Sequence, residues 1–118
     1  MTDTQDIEKE FNEALNIEDE RHQSKLLEVL APKLTLEEDV TKAFEVALNM
    51  RYEWAKYGLI KGLAPKLTKE QRFQAFSLAL HMEDKNYRGW LLGVLAFYRK
   101  EQLKQLKQAK AIYSIEEN

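Results

Sequence analysis

The pentapeptide Ala-Pro-Lys-Leu-Thr occurs twice, at residues 31–35 and 64–68, and imposes a period of 33 residues on the chain. Around it, Phe11, Ala14 and Leu15 recur as Phe44, Ala47 and Leu48, and again as Phe76, Ala79 and Leu80. At identical spacing follow Leu26, Leu59 and Leu91, then Leu30-Ala31, Leu63-Ala64 and Leu95-Ala96, with offsets of 33 and 32. A unit this short cannot bury an apolar face alone, so the copies must share one core by packing side by side. The boundaries are 3–34, 35–67 and 68–99, within a single domain covering residues 1–118.

Each copy reads as two helices. In the middle one, Val40, Ala43, Phe44, Ala47 and Leu48 recur at three- and four-residue steps, the spacing of one helical face. Thr35 with Glu38 and Thr68 with Gln71 predict capping boxes at the starts of two first helices. First helices should end near Asn16, Asn49 and His81, and second helices begin near Asp19, Tyr52 and Asp84. The second helices carry Leu26-Leu27-x-x-Leu30, Leu59-Ile60-x-x-Leu63 and Leu91-Leu92-x-x-Leu95, stripes wide enough to touch two neighbours. Pro32 and Pro65 end them. Phe97 replaces proline in the third copy, so the last helix should run from Asp84 to about Ile112, with an extension at 100–112 and a frayed acidic tail.

These features resemble HEAT-like α-solenoid repeats. The phrase Ala-Leu-x-Ile-x-Asp-Glu, followed by Leu-x-x-Leu-Ala-Pro-x-Leu, is similar to repeats appended to bacterial multidomain signalling proteins, and the likeness covers residues 10–99. The resemblance implies an all-α, right-handed solenoid of three helix pairs with a long C-terminal helix. It further implies scaffolding and recognition, with the second helices lining the binding face.

Composition limits the chemistry. The 118 residues include no cysteine, two histidines and four glycines; thiolate metal sites and cysteine nucleophiles are excluded. Without paired His or Glu-x-x-His spacings no metal is expected, and no cofactor. His81 aligns with Asn16 and Asn49 as a helix-end residue, and His22 with Ala55 and Tyr87 on a part-buried edge. Ser24, Ser77 and Ser114 lie near no plausible base. The expectation is a non-enzyme. The start of the chain has no basic and apolar leader, and its longest apolar stretch, 90–98, is far short of a membrane span. A cytoplasmic setting without a membrane partner follows as an expectation.

The variable positions offer a binding surface. Equivalents of 21, 25 and 28 change from Arg21, Lys25 and Glu28, through Trp54, Gly58 and Lys61, to Asn86, Trp90 and Gly93. Trp, Tyr and Arg are what protein interfaces enrich, and the lysines add positive charge for acidic groups of a partner. Arg21, Lys25, Trp54, Tyr57, Lys61 and Trp90 are therefore candidate partner-binding residues of a protein-interaction module, an adaptor, inhibitor or regulatory subunit. A competing account of the glycines places Trp90 over Gly58 and Tyr57 over Gly89, large into small, as packing between copies.

Charge is segregated. Residues 1–20 carry eight acids and one base, and residues 85–118 seven bases and three acids. The strip Arg99, Lys100, Lys104, Lys107 and Lys110 reads as a solvated capping face, as a surface for an acidic partner including nucleic acid, or as one half of a head-to-tail self-association. Nucleic-acid binding through this strip and the bases of the second helices is the alternative function. A monomer or a weakly self-associating chain is expected.

Overall fold

The computed structural model describes residues 4–117, and the side chains of residues 5–112. Among them the regular structure is entirely helical. The α-helices are α1 (Thr4–Leu15), α2 (Glu20–Leu30), α3 (Glu37–Leu48), α4 (Glu53–Leu63), α5 (Lys69–Leu80) and α6 (Lys85–Glu117). Consecutive helices pair as α1 with α2, α3 with α4 and α5 with α6, while α2 packs on α4 and α4 on α6. First helices of successive pairs touch far less, so the second helices form the close-packed row.

Local chemistry sets the ends. The Asp19 carboxylate accepts from the Arg21 and His22 amides, and Asp84 accepts from those of Asn86 and Tyr87 at 2.8 and 3.1 Å. At the other ends the side chains of Asn16 and Asn49 donate to the carbonyls of Asn12 and Glu45, and His81 Nδ1 lies 2.7 Å from the Ser77 carbonyl oxygen. These groups occupy carbonyls that helix termini leave open. Pro32 and Pro65 each sit inside a short 3-10 turn, Ala31–Lys33 and Ala64–Lys66, which ends the second helix.

The capping boxes divide. Thr68 and Gln71 form one, with both reciprocal bonds present. Thr35 does not cap α3, whose N-cap is Leu36 without a side-chain bond. The cause is the change of offset from 33 to 32: residue 35 stands nine before Phe44, whereas Thr68 stands eight before Phe76. The additional residue moves the helix start out of reach of the Thr35 hydroxyl. The last helix also outruns expectation. It continues to Glu117, so the stretch expected to fray is helical, although side chains beyond Ile112 lie outside the described residues.

One core runs through the pairs, built on Phe11, Leu27, Leu30, Phe44, Leu59, Ile60, Leu63 and Leu91. Neighbouring pairs are also clipped together by a repeated device. Glu20, in the first turn of α2, accepts from the Arg51 amide, and Glu53, 33 residues later, accepts from the amides of Glu83 and Asp84 at 2.9 and 2.8 Å. Lys66 Nζ donates back to the carbonyls of Pro32, at 2.9 Å, and Leu34. The Asp84 and Glu83 amides hold the Glu53 carboxyl below its ordinary range. A depressed pKa means that this contribution is present above the unfolded value and is lost as pH falls through the folded one. Glu53→Ala is therefore expected to lower Tm by several degrees at neutral pH and by less in acid, as thermal melts across that range would show.

Glu8 behaves oppositely. A side-chain hydrogen bond to Asp39 raises its pKa, with burial and the Asp39 charge acting in the same direction. Asp39 is buried in the first turn of α3, and its Oδ2 lacks a protein partner. The neighbouring Asp39 carboxyl disfavours the charged form of Glu8. The raised pKa makes this contact most favourable in acid and weakens it as pH rises through the folded value. Glu8→Gln should raise Tm at neutral pH and leave it unchanged in acid.

Candidate partner-binding face

The exposed surface of the second-helix row carries an aromatic cluster. Tyr57 on α4 meets both Tyr87 and Trp90 on α6, at ring-centroid distances of 5.6 and 5.9 Å. Tyr87 and Trp90 pack edge to face at 5.5 Å, a geometry that suits opposed ring quadrupoles. Lys61 Nζ lies 5.7 Å from the Tyr57 centroid, within cation–π range. At the start of α4, Tyr52 stacks on Trp54 at 5.9 Å. Trp90 remains 53% exposed, Tyr52 and Lys61 are exposed, and Tyr57, Tyr87 and Trp54 are partly buried against the core.

Of the residues the sequence singled out, Tyr57, Lys61 and Trp90 come together, and Trp54 lies on the same helix beside Tyr52. Arg21 and Lys25 stand apart on α2, both exposed, with Arg21 Nη2 3.5 Å from Asp19 Oδ2. Tyr52 and Tyr87 join the aromatic surface without having been anticipated. A signal was available, since Tyr87 precedes Trp90 by three residues and so shares its helix face.

The large-into-small account of the glycines is corrected. The nearest neighbour of Gly58 is Glu28 and not Trp90, and Tyr57 does not reach Gly89, where nothing lies within 4 Å of a Cβ. A Cβ built on Gly58 would lie 2.8 Å from Glu28 Oε2, and one on Gly62 would lie 3.2 Å from the Ala31 Cβ. Both therefore face back onto α2 and let α4 approach it closely. Gly89 and Gly93 have open space at the equivalent atom. His22 is likewise exposed, not part-buried.

The basic strip lies on α6, where Arg99, Lys100, Lys104, Lys107 and Lys110 are all exposed. A separate, broad cleft of about 740 Å³ lies between the α1–α2 and α3–α4 turns, lined by residues including Glu18, Glu20, Arg21, Lys42, Arg51 and Tyr52. Its walls mix both signs of charge. Ser24 is buried and spends its hydroxyl on the Arg21 carbonyl at 3.1 Å. Among the described residues no group of three or more His, Cys, Asp or Glu side chains converges as metal ligands, and no helix is long and apolar enough to cross a membrane. The chain matches no family model, no curated protein and no solved structure.

Proposed function

We propose that this chain is a short HEAT-like α-solenoid acting as a non-enzymatic protein-interaction module, an adaptor, inhibitor or regulatory subunit. The observation that carries the reading is the Tyr57–Tyr87–Trp90 cluster with Lys61 at its edge, an aromatic surface left open on the second-helix row. Rigid Trp and Tyr side chains are what interface hot spots enrich, and Lys61 adds a cation at the edge. A partner segment docks across α4 and α6, with Trp90 as its main anchor and Tyr52 and Trp54 extending the surface. Arg21 and Lys25 lie farther along the row and steer acidic parts of the same partner.

Trp90→Ala should weaken partner binding at least about tenfold, the scale of a hot-spot residue. Its Tm should fall by only a few degrees, the scale of losing its ring contacts with Tyr57 and Tyr87. Trp54→Ala, partly buried on the core, should lose both binding and some stability. The experiment is affinity capture from the native cell with tagged parent and Trp90→Ala chains, read by mass spectrometry beside thermal melts. Proteins retained by the parent and lost by a variant that the melts show to be folded at the capture temperature support the reading, and identical retention removes it.

The exposed lysines of α6 favour a second reading, binding of nucleic acid along that helix. It requires salt-dependent retention of RNA or DNA that disappears when Lys104, Lys107 and Lys110 become Glu. No retention at about 50 mM salt would eliminate it.

A further inference from the structure

We propose that the outer face of the third helix pair is a docking surface for the outer face of the first pair of a second copy, so that chains associate head to tail. It does not depend on the Tyr57–Tyr87–Trp90 cluster above, although Lys25 belongs to both surfaces.

The internal repeat supplies the comparison. Each pair has a rear flank toward the preceding pair and a forward flank toward the following one. Thr41 marks the forward flank of α3, because its hydroxyl accepts from Gln71 Nε2 on α5 at 3.2 Å. Glu28 and Ala31 mark that of α2, because Gly58 and Gly62 of α4 face them. In α5 and α6 the equivalent positions are Phe73, Gly93 and Ala96.

The forward flank of the third pair lacks a cover. Phe11 and Phe44 are 0% and 2% exposed, whereas their equivalent Phe76 is 44% exposed. Ala31 and Ala64 are buried, but Ala96 is exposed. Phe73, in place of Thr41, is 72% exposed, and Leu80 and Leu103 are also open. Gly89 and Gly93 are less favourable than alanine inside a helix, and nothing lies within 4 Å of a Cβ built on either. They leave room for a helix to come close, as Gly58 and Gly62 do between α4 and α2.

The first pair presents the complement. Its rear flank carries Glu10, His22, Lys25 and Val29, all exposed, at the positions that Ala43, Ala55, Gly58 and Gly62 hold in the second pair. The α2–α4 junction sets the long Glu28 side chain against Gly58, and Ala31 against Gly62. Continuing the array onto a second copy sets Lys25 and Val29 against Gly93 and Ala96 in the same way. Charge agrees. The acidic clip residue Glu53 corresponds to Lys85 in the third pair, and the turn it would meet in the next copy is Glu18-Asp19-Glu20. Lys100, Lys104 and Lys107 extend beyond the body on α6, on the side where the next α1, with its acids Asp6, Glu8, Glu10 and Glu13 against the single base Lys9, would begin. A second copy with its forward flank opposed would instead bring two basic helices together.

Sedimentation of the full chain tests this with two variants whose changes lie on exposed positions. Phe73→Glu with Gly93→Glu blocks the forward flank, and Glu10→Lys with Val29→Lys blocks the rear one. The parent should grow with concentration past twice its 13.9 kDa mass, because a heterologous contact does not close at a dimer. Raising salt from about 50 mM to about 500 mM should reduce the growth, since exposed charges are screened. Each variant alone should be monomeric, and an equimolar mixture should form one discrete heterodimer, each supplying the intact flank the other lacks. A parent that stays monomeric up to about 1 mM, a parent that plateaus as a dimer, or a mixture that stays monomeric overturns the proposal.

Discussion

Phe44→Ala is expected to destabilise the chain by about 3–5 kcal/mol, the range for removing a buried aromatic, whereas Phe76→Ala should cost only about 1 kcal/mol. The two residues occupy the same repeat position, so propensity and local sequence are nearly matched, and the contrast isolates burial. Phe44 is 2% exposed because the following pair covers it, and Phe76 is 44% exposed. With total stabilities of about 5–15 kcal/mol for domains of this kind, the first change consumes much of the margin. Urea unfolding followed by circular dichroism reads both values. Equal losses would mean that the pairs do not share a core in the way their contacts indicate.

The glycines give the second large contrast. Gly62→Leu should destabilise by about 1–3 kcal/mol, because a side chain there drives α4 away from Ala31. Gly93→Ala should stabilise by about 1 kcal/mol, since its Cβ meets open space. Gly58 belongs between them: its nearest neighbour is the end of the Glu28 side chain, which can swing aside. Opposite signs at Gly62 and Gly93, measured by denaturant titration, would separate the glycines needed for helix approach inside the chain from those that are not.

Much of this architecture is legible in the sequence because the repeat registers chemistry as well as spacing. Proline after the second helix, Asp or Asn at helix ends, and phenylalanine at one position of each copy fix the six helices and most of the core. The side chains at Asp19, Asn49 and His81 bond as their alignment suggests. What repeat alignment does not encode is which flank of a helix touches which neighbour. Gly58 and Trp90 are equivalent, yet one faces back toward Glu28 while the other packs on Tyr57. Equivalence made them look like partners, when it means that each does the same job at a different junction. Thr35 fails as a cap for a simpler reason, one residue of additional chain before the helix begins.

The candidate face was partly legible. Tyr57, Lys61 and Trp90 share a surface because Tyr57 and Lys61, four apart on one face of α4, meet Tyr87 and Trp90, three apart on one face of α6. Arg21 and Lys25 belong to the same sequence stripe but not to the aromatic cluster, since no aromatic residue on α2 links them to it. The Glu20 and Glu53 clips were missed, although they are 33 residues apart. Nothing in a surface glutamate's sequence context announces that it accepts backbone amides from the next turn.

The claim that the second-helix row receives a partner is tested most directly by photocrosslinking in the native cell. A photoreactive amino acid at position 90 should yield a covalent adduct with a protein, and the same group at position 37 on α3, exposed and outside both proposed surfaces, should not. No protein adduct at position 90, or equal yields from both positions, would contradict it.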